Sequence, residues 1–226
     1  MLVCLFWTVF IALGFKKADR ARRVLLVFYC VATVLYTCHY VYYAGYGTSW
    51  IEALYTCCNL SVFPLFYLFV NVYIGKKLSN GAFVLMFSPA VLMTVCHVVC
   101  IFLLDDWAEM RPIIQIVVRL LFAVQVVCVS FMGVRKLRVY KHELDDFYSD
   151  DRGRVVHPTI VLLYCFCIIS VFSMLLNLIG RDFFLNNLII VLPALVMSIM
   201  LYALGYVCMS LPESYLLGMS ADAVTI

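Results

Sequence analysis

The chain alternates long apolar runs with short charged or glycine-containing breaks. Seven runs stand out, at 2–15, 24–44, 54–74, 82–104, 113–134, 159–180 and 184–209. Runs of this length without two-residue alternation predict helices. At 1.5 Å per residue a helix of roughly 20 residues crosses a ~30 Å hydrocarbon core, and six of the seven runs are long enough. The first is short. It has no basic stretch before it and meets Lys16 and Lys17 where a signal peptide would have a small-residue cleavage site, so a late-assigned start or a clipped first helix is expected. The predicted fold is all-α: a seven-transmembrane-helix bundle over 1–210, a cytoplasmic loop with a helical extension at 135–158, and a short tail at 211–226.

Prolines punctuate this pattern. Pro112 and Pro158 are expected in the first turns of helices five and six, where a missing N–H costs nothing, and Pro212 closes helix seven. Pro64, Pro89 and Pro193 fall inside helices three, four and seven, where each is expected to kink the helix and free a carbonyl.

Composition sharpens the choice of solvent. With 66% hydrophobic and 13% charged residues and a mean hydropathy of +1.05, the chain is neither a soluble domain nor a disordered one. The basic residues then set orientation. Lys16, Lys17, Arg20, Arg22, Arg23, Lys76, Lys77, Arg135, Lys136, Arg138, Lys141, Arg152 and Arg154 lie in odd-numbered loops, against Arg111 and Arg181 in even-numbered ones. The positive-inside rule puts the N-terminus outside and the C-terminus in the cytoplasm.

Polar residues inside the runs are unevenly distributed by depth. His39, Asn59, His97, Gln115, Arg119, Asn177, Asn186 and Asn187 fall toward the outer side, while the inner half offers Asn71 and, near mid-membrane, Gln125. Arg119, about 10 Å below the interface by helical rise, is costly there unless paired or wetted. No carboxylate is expected at its depth, so its partner is Asp105, Asp106 or Asp182 at the rim, a helix-terminal carbonyl, or an anionic ligand; snorkelling or a structural ion pair competes with ligand binding. The candidate ligand pocket is Arg119, Gln115, His39, Asn59, His97, Asn177 and Asn187. Tyr36, Tyr40, Tyr42, Tyr43 and Tyr46 read as an interfacial aromatic belt.

Other chemistries find little support. The eleven cysteines sit in or beside apolar runs as small hydrophobes, and Cys96, His97 and Cys100 lack a second ligand pair, so neither disulfides nor a metal site is expected, and no cofactor. The seventh run has no Lys for a retinal Schiff base. No protease dyad or paired intramembrane aspartate is present, and an enzyme is not expected.

Helix five is expected to continue into the fifth loop, where Leu137, Tyr140, Leu144 and Phe147 recur at spacings of 3, 4 and 3. This stripe is a candidate for signal output by docking, or packs on its own bundle. Asp145, Asp146, Asp150 and Asp151 read as a polar surface.

Five blocks carry a family resemblance: ARRVLLVFYCVATVLYTCHYVYY from Ala21, NLSVFPLFYLFV from Asn59, YKHELDDFYSDD from Tyr140, NLIGRDFF from Asn177 and LPALVMSIMLYALGY from Leu192. In this order they resemble the membrane region of Bacteroidetes-type AraC-like transcriptional regulators, in which seven helices precede a cytoplasmic helix-turn-helix domain. The resemblance implies a sensor in the bacterial inner membrane that passes a signal from an unknown small ligand on the outer side to DNA. The DNA-binding domain is absent from these residues, so DNA would be reached only through a C-terminal domain of a longer chain, a split gene or a separate partner. The lipid bilayer is the expected surrounding partner, and a homodimer is among the assemblies expected. A small-solute carrier and an inactive remnant of a split gene are the alternatives.

Overall fold

The computed structural model describes residues 1–15, 19–103, 107–147, 152–179 and 191–210. Among them every regular element is a helix: α1 (Leu2–Leu13), α2 (Arg20–Tyr43), α3 (Ser49–Tyr73), α4 (Asn80–Leu103), α5 (Trp107–Phe147), α6 (Arg152–Ile179) and α7 (Val191–Ser210). Four are long and apolar enough to cross a membrane, over Arg20–Tyr42, Ser49–Tyr73, Asn80–Phe102 and Met110–His142. The described apolar stretches of α1, α6 and α7 are shorter.

Helices α2 and α3 begin four and five residues before their apolar runs, where polar side chains cap them. Asp19 accepts from the Arg22 N–H at 2.7 Å to start α2, and Thr48 accepts from the Ile51 N–H at 3.4 Å to start α3. Helices α2 and α3 end alike. Gly45 (φ 82°) and Gly75 (φ 71°) take the left-handed conformation, so Tyr46 N–H reaches the Val41 carbonyl and Lys76 N–H the Asn71 carbonyl. A side chain at either position would be strained, which is why glycine marks both stops.

Two prolines expected in first turns lie deeper. Helix α5 starts at Trp107 and α6 at Arg152, which places Pro112 and Pro158 within helices. Pro64 and Pro89 lie inside α3 and α4, as the sequence predicts, and Pro193 falls in the first turn of α7 as described. Pro89 cannot donate to the Leu85 carbonyl, and the Ser88 hydroxyl does so instead at 3.0 Å. One turn of α4 is thus opened and repaired locally.

Packing runs from α1 to α2, α3, α5, α6 and α7 and back to α1, closing a ring, while α4 lies against α3 and α5. Helix α3 is the most enclosed: 78% of its apolar window is buried, against 33, 28 and 39% in α2, α4 and α5. Phe28, Phe66 and Phe166 meet inside the ring, with the last two stacked at 4.2 Å between centroids. Elsewhere the molecule is inside-out relative to a soluble protein. Helix α4 exposes Val84, Leu85, Val91, Leu92 and Phe102, and α5 exposes Ile113, Ile116, Leu120, Val124 and Phe131. Faces this apolar and continuous are matched to lipid.

Several hydroxyls on these helices bond to a carbonyl one turn back in their own helix, a low-cost solution where water is absent. Thr33, Thr94 and Ser170 donate to the carbonyls of Tyr29, Ala90 and Phe166 at 2.6–2.7 Å. Tyr29 instead crosses from α2 to α7, donating to the Leu201 carbonyl at 2.6 Å.

Candidate functional site

The first turn of α3 and the start of α5 meet through charge. Glu52 is 4% exposed, and Arg111 donates through Nε to both of its carboxylate oxygens at 3.0 Å, with a further bond from Nη2. Tyr42 on α2 meets the same guanidinium at 3.4 Å, and Gln115 Nε2 reaches Glu52 at 3.5 Å. The fork geometry of arginine suits a carboxylate held in this way.

Below this pair lies a cavity of about 30 Å³ lined by Glu52, Tyr55, Thr56, Asn59, His97, Gln115, Val118 and Arg119. Its walls follow helical spacing. Residues 52, 55, 56 and 59 share one face of α3, and 111, 115, 118 and 119 share one face of α5. His97, 1% exposed, comes from α4. Among the described residues Arg119 makes no hydrogen bond or ion pair, while Glu52 is engaged by Arg111. The pocket lining therefore carries one carboxylate and one guanidinium, and the carboxylate is already engaged by a second guanidinium, that of Arg111, from beyond the lining.

A larger cavity, about 110 Å³, opens inside the helix ring. Phe28, Ala32, Leu35, Tyr36 and His39 line it from α2, Asn59, Val62 and Phe63 from α3, Phe122 from α5, Phe166 from α6, and Met197 and Leu201 from α7. Asn59 belongs to both cavities. His39 stands edge-on to Tyr55 at 4.9 Å.

Five of the sequence candidates are thus placed: Arg119, Gln115, Asn59 and His97 around the polar pocket, and His39 with Asn59 around the chamber. The side chain of Asn177, and Asn187 altogether, lie outside the described residues, as do Asp105, Asp106 and Asp182. Two expectations are corrected. Glu52 is a carboxylate lining the same pocket as Arg119, where none is expected, and it and Arg111 lie in helices α3 and α5 although both fall between the apolar runs. Their pairing offsets part of the cost of burying either charge alone. Tyr36 and Tyr42 are also not simply belt residues: one lines the chamber and the other partners Arg111. Tyr40 and Tyr46, 67 and 74% exposed, remain outward, and the side chain of Tyr43 is outside the described set.

The opposite end of the same two helices carries a second polar contact. Asn71 is fully buried on α3 and accepts from the Lys136 ammonium on α5, which also lies 5.1 Å from the Tyr67 ring centroid. Lys136, expected among loop charges, is a helix-packing residue. Gln125, between the two ends, donates to the Met86 carbonyl of α4 at 3.0 Å, beside the turn opened by Pro89.

Of the stripe on the α5 extension, Leu137 and Tyr140 are buried in the bundle, while the side chains of Leu144 and Phe147 are outside the described residues. All eleven cysteines are free thiols, and the described residues contain no group of three His, Cys, Asp or Glu side chains placed to hold a metal ion. Comparison with protein families, with curated proteins and with solved structures finds no match for this chain.

Proposed function

We propose that the protein is a seven-span membrane sensor, with its N-terminus outside and its C-terminus in the cytoplasm, that receives a small ligand in the Arg119 pocket and passes the signal inward along α5. The observation that carries this reading is the uncompensated guanidinium. A charge inside a span is expensive, and Arg119 shares its cavity with a single carboxylate, Glu52, that Arg111 already engages, which makes the cavity a candidate binding site. The two polar contacts between α3 and α5 lie on either side of the pocket, so a ligand that spreads or draws together these helices must act on one or both. Such a ligand shifts the resting equilibrium only by its differential affinity for the two arrangements.

The family resemblance supplies the output: a helix-turn-helix domain acting on DNA from the cytoplasmic face of a bacterial inner membrane. Genomic sequence beyond the Ile226 codon tests that half of the proposal, since a regulator of this kind requires such a domain in frame, one shift away, or encoded beside it. The sensing half is tested by screening small metabolites for thermal stabilisation of the purified protein. At least one compound should raise the melting temperature of the parent and leave Arg119→Ala unmoved, with both proteins inserted and monodisperse. Equal stabilisation of the two by every active compound removes Arg119 from the site.

A carrier is the second reading, and the Asn71–Lys136 contact is what favours it, because it adds polar groups near the far end of the same helix pair. Ligand-dependent flux into proteoliposomes separates it from a sensor, which binds without transport.

A further inference from the structure

The polar pocket and the aromatic chamber adjoin at Asn59, which lines both. On α5 they are one turn apart, Val118 and Arg119 lining the first and Phe122 the second. On α3 the same step runs from Thr56 and Asn59 to Val62 and Phe63, with Asn59 facing both. One turn is ~5.4 Å, the distance from the head of a short organic acid to the middle of its chain. The two ends differ in chemistry. The polar end, counted together with Arg111 on the far side of Glu52, has an excess of one positive charge, and it has room for about two waters or one small charged group, since a water needs ~10–15 Å³ measured in this way. The other end is walled by Phe28, Phe63, Phe122 and Phe166.

From this juxtaposition we infer that the ligand is a small amphiphilic carboxylate, its anionic head on Arg119 and its apolar body in the chamber. A dry 150 Å³ cavity accommodates benzene, so a chamber of about 110 Å³ takes a body of roughly four to six carbons. The guanidinium supplies two parallel donors to the head. Asn59, 5% exposed at the junction, supplies an amide to the same group and excludes bodies that carry no polar head. This inference rests on the sensor reading of the same pocket and narrows it to a ligand class.

The test is calorimetric titration of the full chain in phosphatidylcholine nanodiscs with sodium pentanoate, pentanamide, pentylammonium chloride, sodium acetate and sodium dodecanoate. Pentanoate should bind at least tenfold more tightly than each of the others. Arg119→Gln should lose at least tenfold for pentanoate and no longer distinguish it from pentanamide, while Arg119→Lys keeps part of the preference. Val62→Phe, which narrows the chamber, should weaken pentanoate and leave acetate unchanged. Equal binding of pentanamide or pentylammonium overturns the anionic head, equal or tighter binding of dodecanoate overturns the closed chamber in favour of a lipid-derived acid, and binding of none of the five overturns the ligand class. Hydrogen exchange over residues 135–147 in the same samples reports on the sensor reading separately. Pentanoate bound without a change there contradicts sensing and leaves the ligand class standing, whereas a change produced equally by pentanamide does the reverse.

Discussion

Arg111 donates to both oxygens of Glu52, so truncating the carboxylate leaves a guanidinium at the start of α5 facing a pocket that already holds Arg119. The Arg111 side chain is 40% exposed and the Glu52 side chain 5%, which makes the loss smaller than for a fully buried pair. Glu52→Ala is expected to destabilise the protein by about 1–2 kcal/mol, within the upper range for polar contacts between membrane helices. Arg119→Leu should go the other way, leaving stability unchanged or raising it, because it removes a charge that no described residue compensates. Denaturant unfolding of both variants in the same detergent checks the contrast, and a loss at Arg119 as large as that at Glu52 would make Arg119 structural. Hydropathy alone could not find this pair, since it prices each residue as an isolated ion. The legible signal was periodicity: Glu52, Tyr55, Thr56 and Asn59 repeat at helical spacing, and so do Arg111, Gln115 and Arg119 on the helix opposite.

Elements show where sequence reading ran out for a different reason. The apolar runs located seven helices, and the interior placement of Pro64 and Pro89 followed from composition, because proline position needs no knowledge of neighbours. Close approach between helices does need it. A β-carbon built on Gly205 of α7 would lie 2.3 Å from Trp7 Cε2 and 2.4 Å from its Cδ2, and the indole, 4% exposed, stacks on Tyr29 and lies tilted against Tyr202. Nothing in the sequence around Gly205 announces that α1 is the helix pressed against it. Gly205→Ala is expected to cost about 1–3 kcal/mol through overpacking and to loosen α1 from α7. Pairing it with Trp7→Leu should recover part of the loss. The two variants and their double, compared by thermal unfolding, decide whether the contact is this one: a double mutant no better than Gly205→Ala places the strain elsewhere. Ser88 sits on a similar blind spot, its hydroxyl standing in for the N–H that Pro89 lacks.

At the scale of the molecule, α5 spans 41 residues, roughly 60 Å at 1.5 Å per residue, about twice the thickness of a hydrocarbon core. A helix of that length has one end outside the bilayer whichever way it is inserted, and charge decides which. Arg135, Arg138 and Lys141 follow the apolar section of α5, while its first turns carry Arg111, whose charge is met by Glu52. The rule counts Lys and Arg whatever their partners, so one arginine at the start of α5 stands against these three basic residues after its apolar section. In the proposed orientation the Arg119 pocket faces outside and the Leu137–Tyr140 packing faces the cytoplasm, which is what the proposed sensing of an external acid requires. An epitope inserted at Gly47, in the turn between α2 and α3, should bind antibody on intact spheroplasts. The same epitope after Lys77, between α3 and α4, should bind only once the membrane is permeabilised. The reverse pattern would turn the pocket toward the cytoplasm, where a carboxylate ligand would be an internal metabolite and α5 would carry its signal outward, away from any contact with DNA.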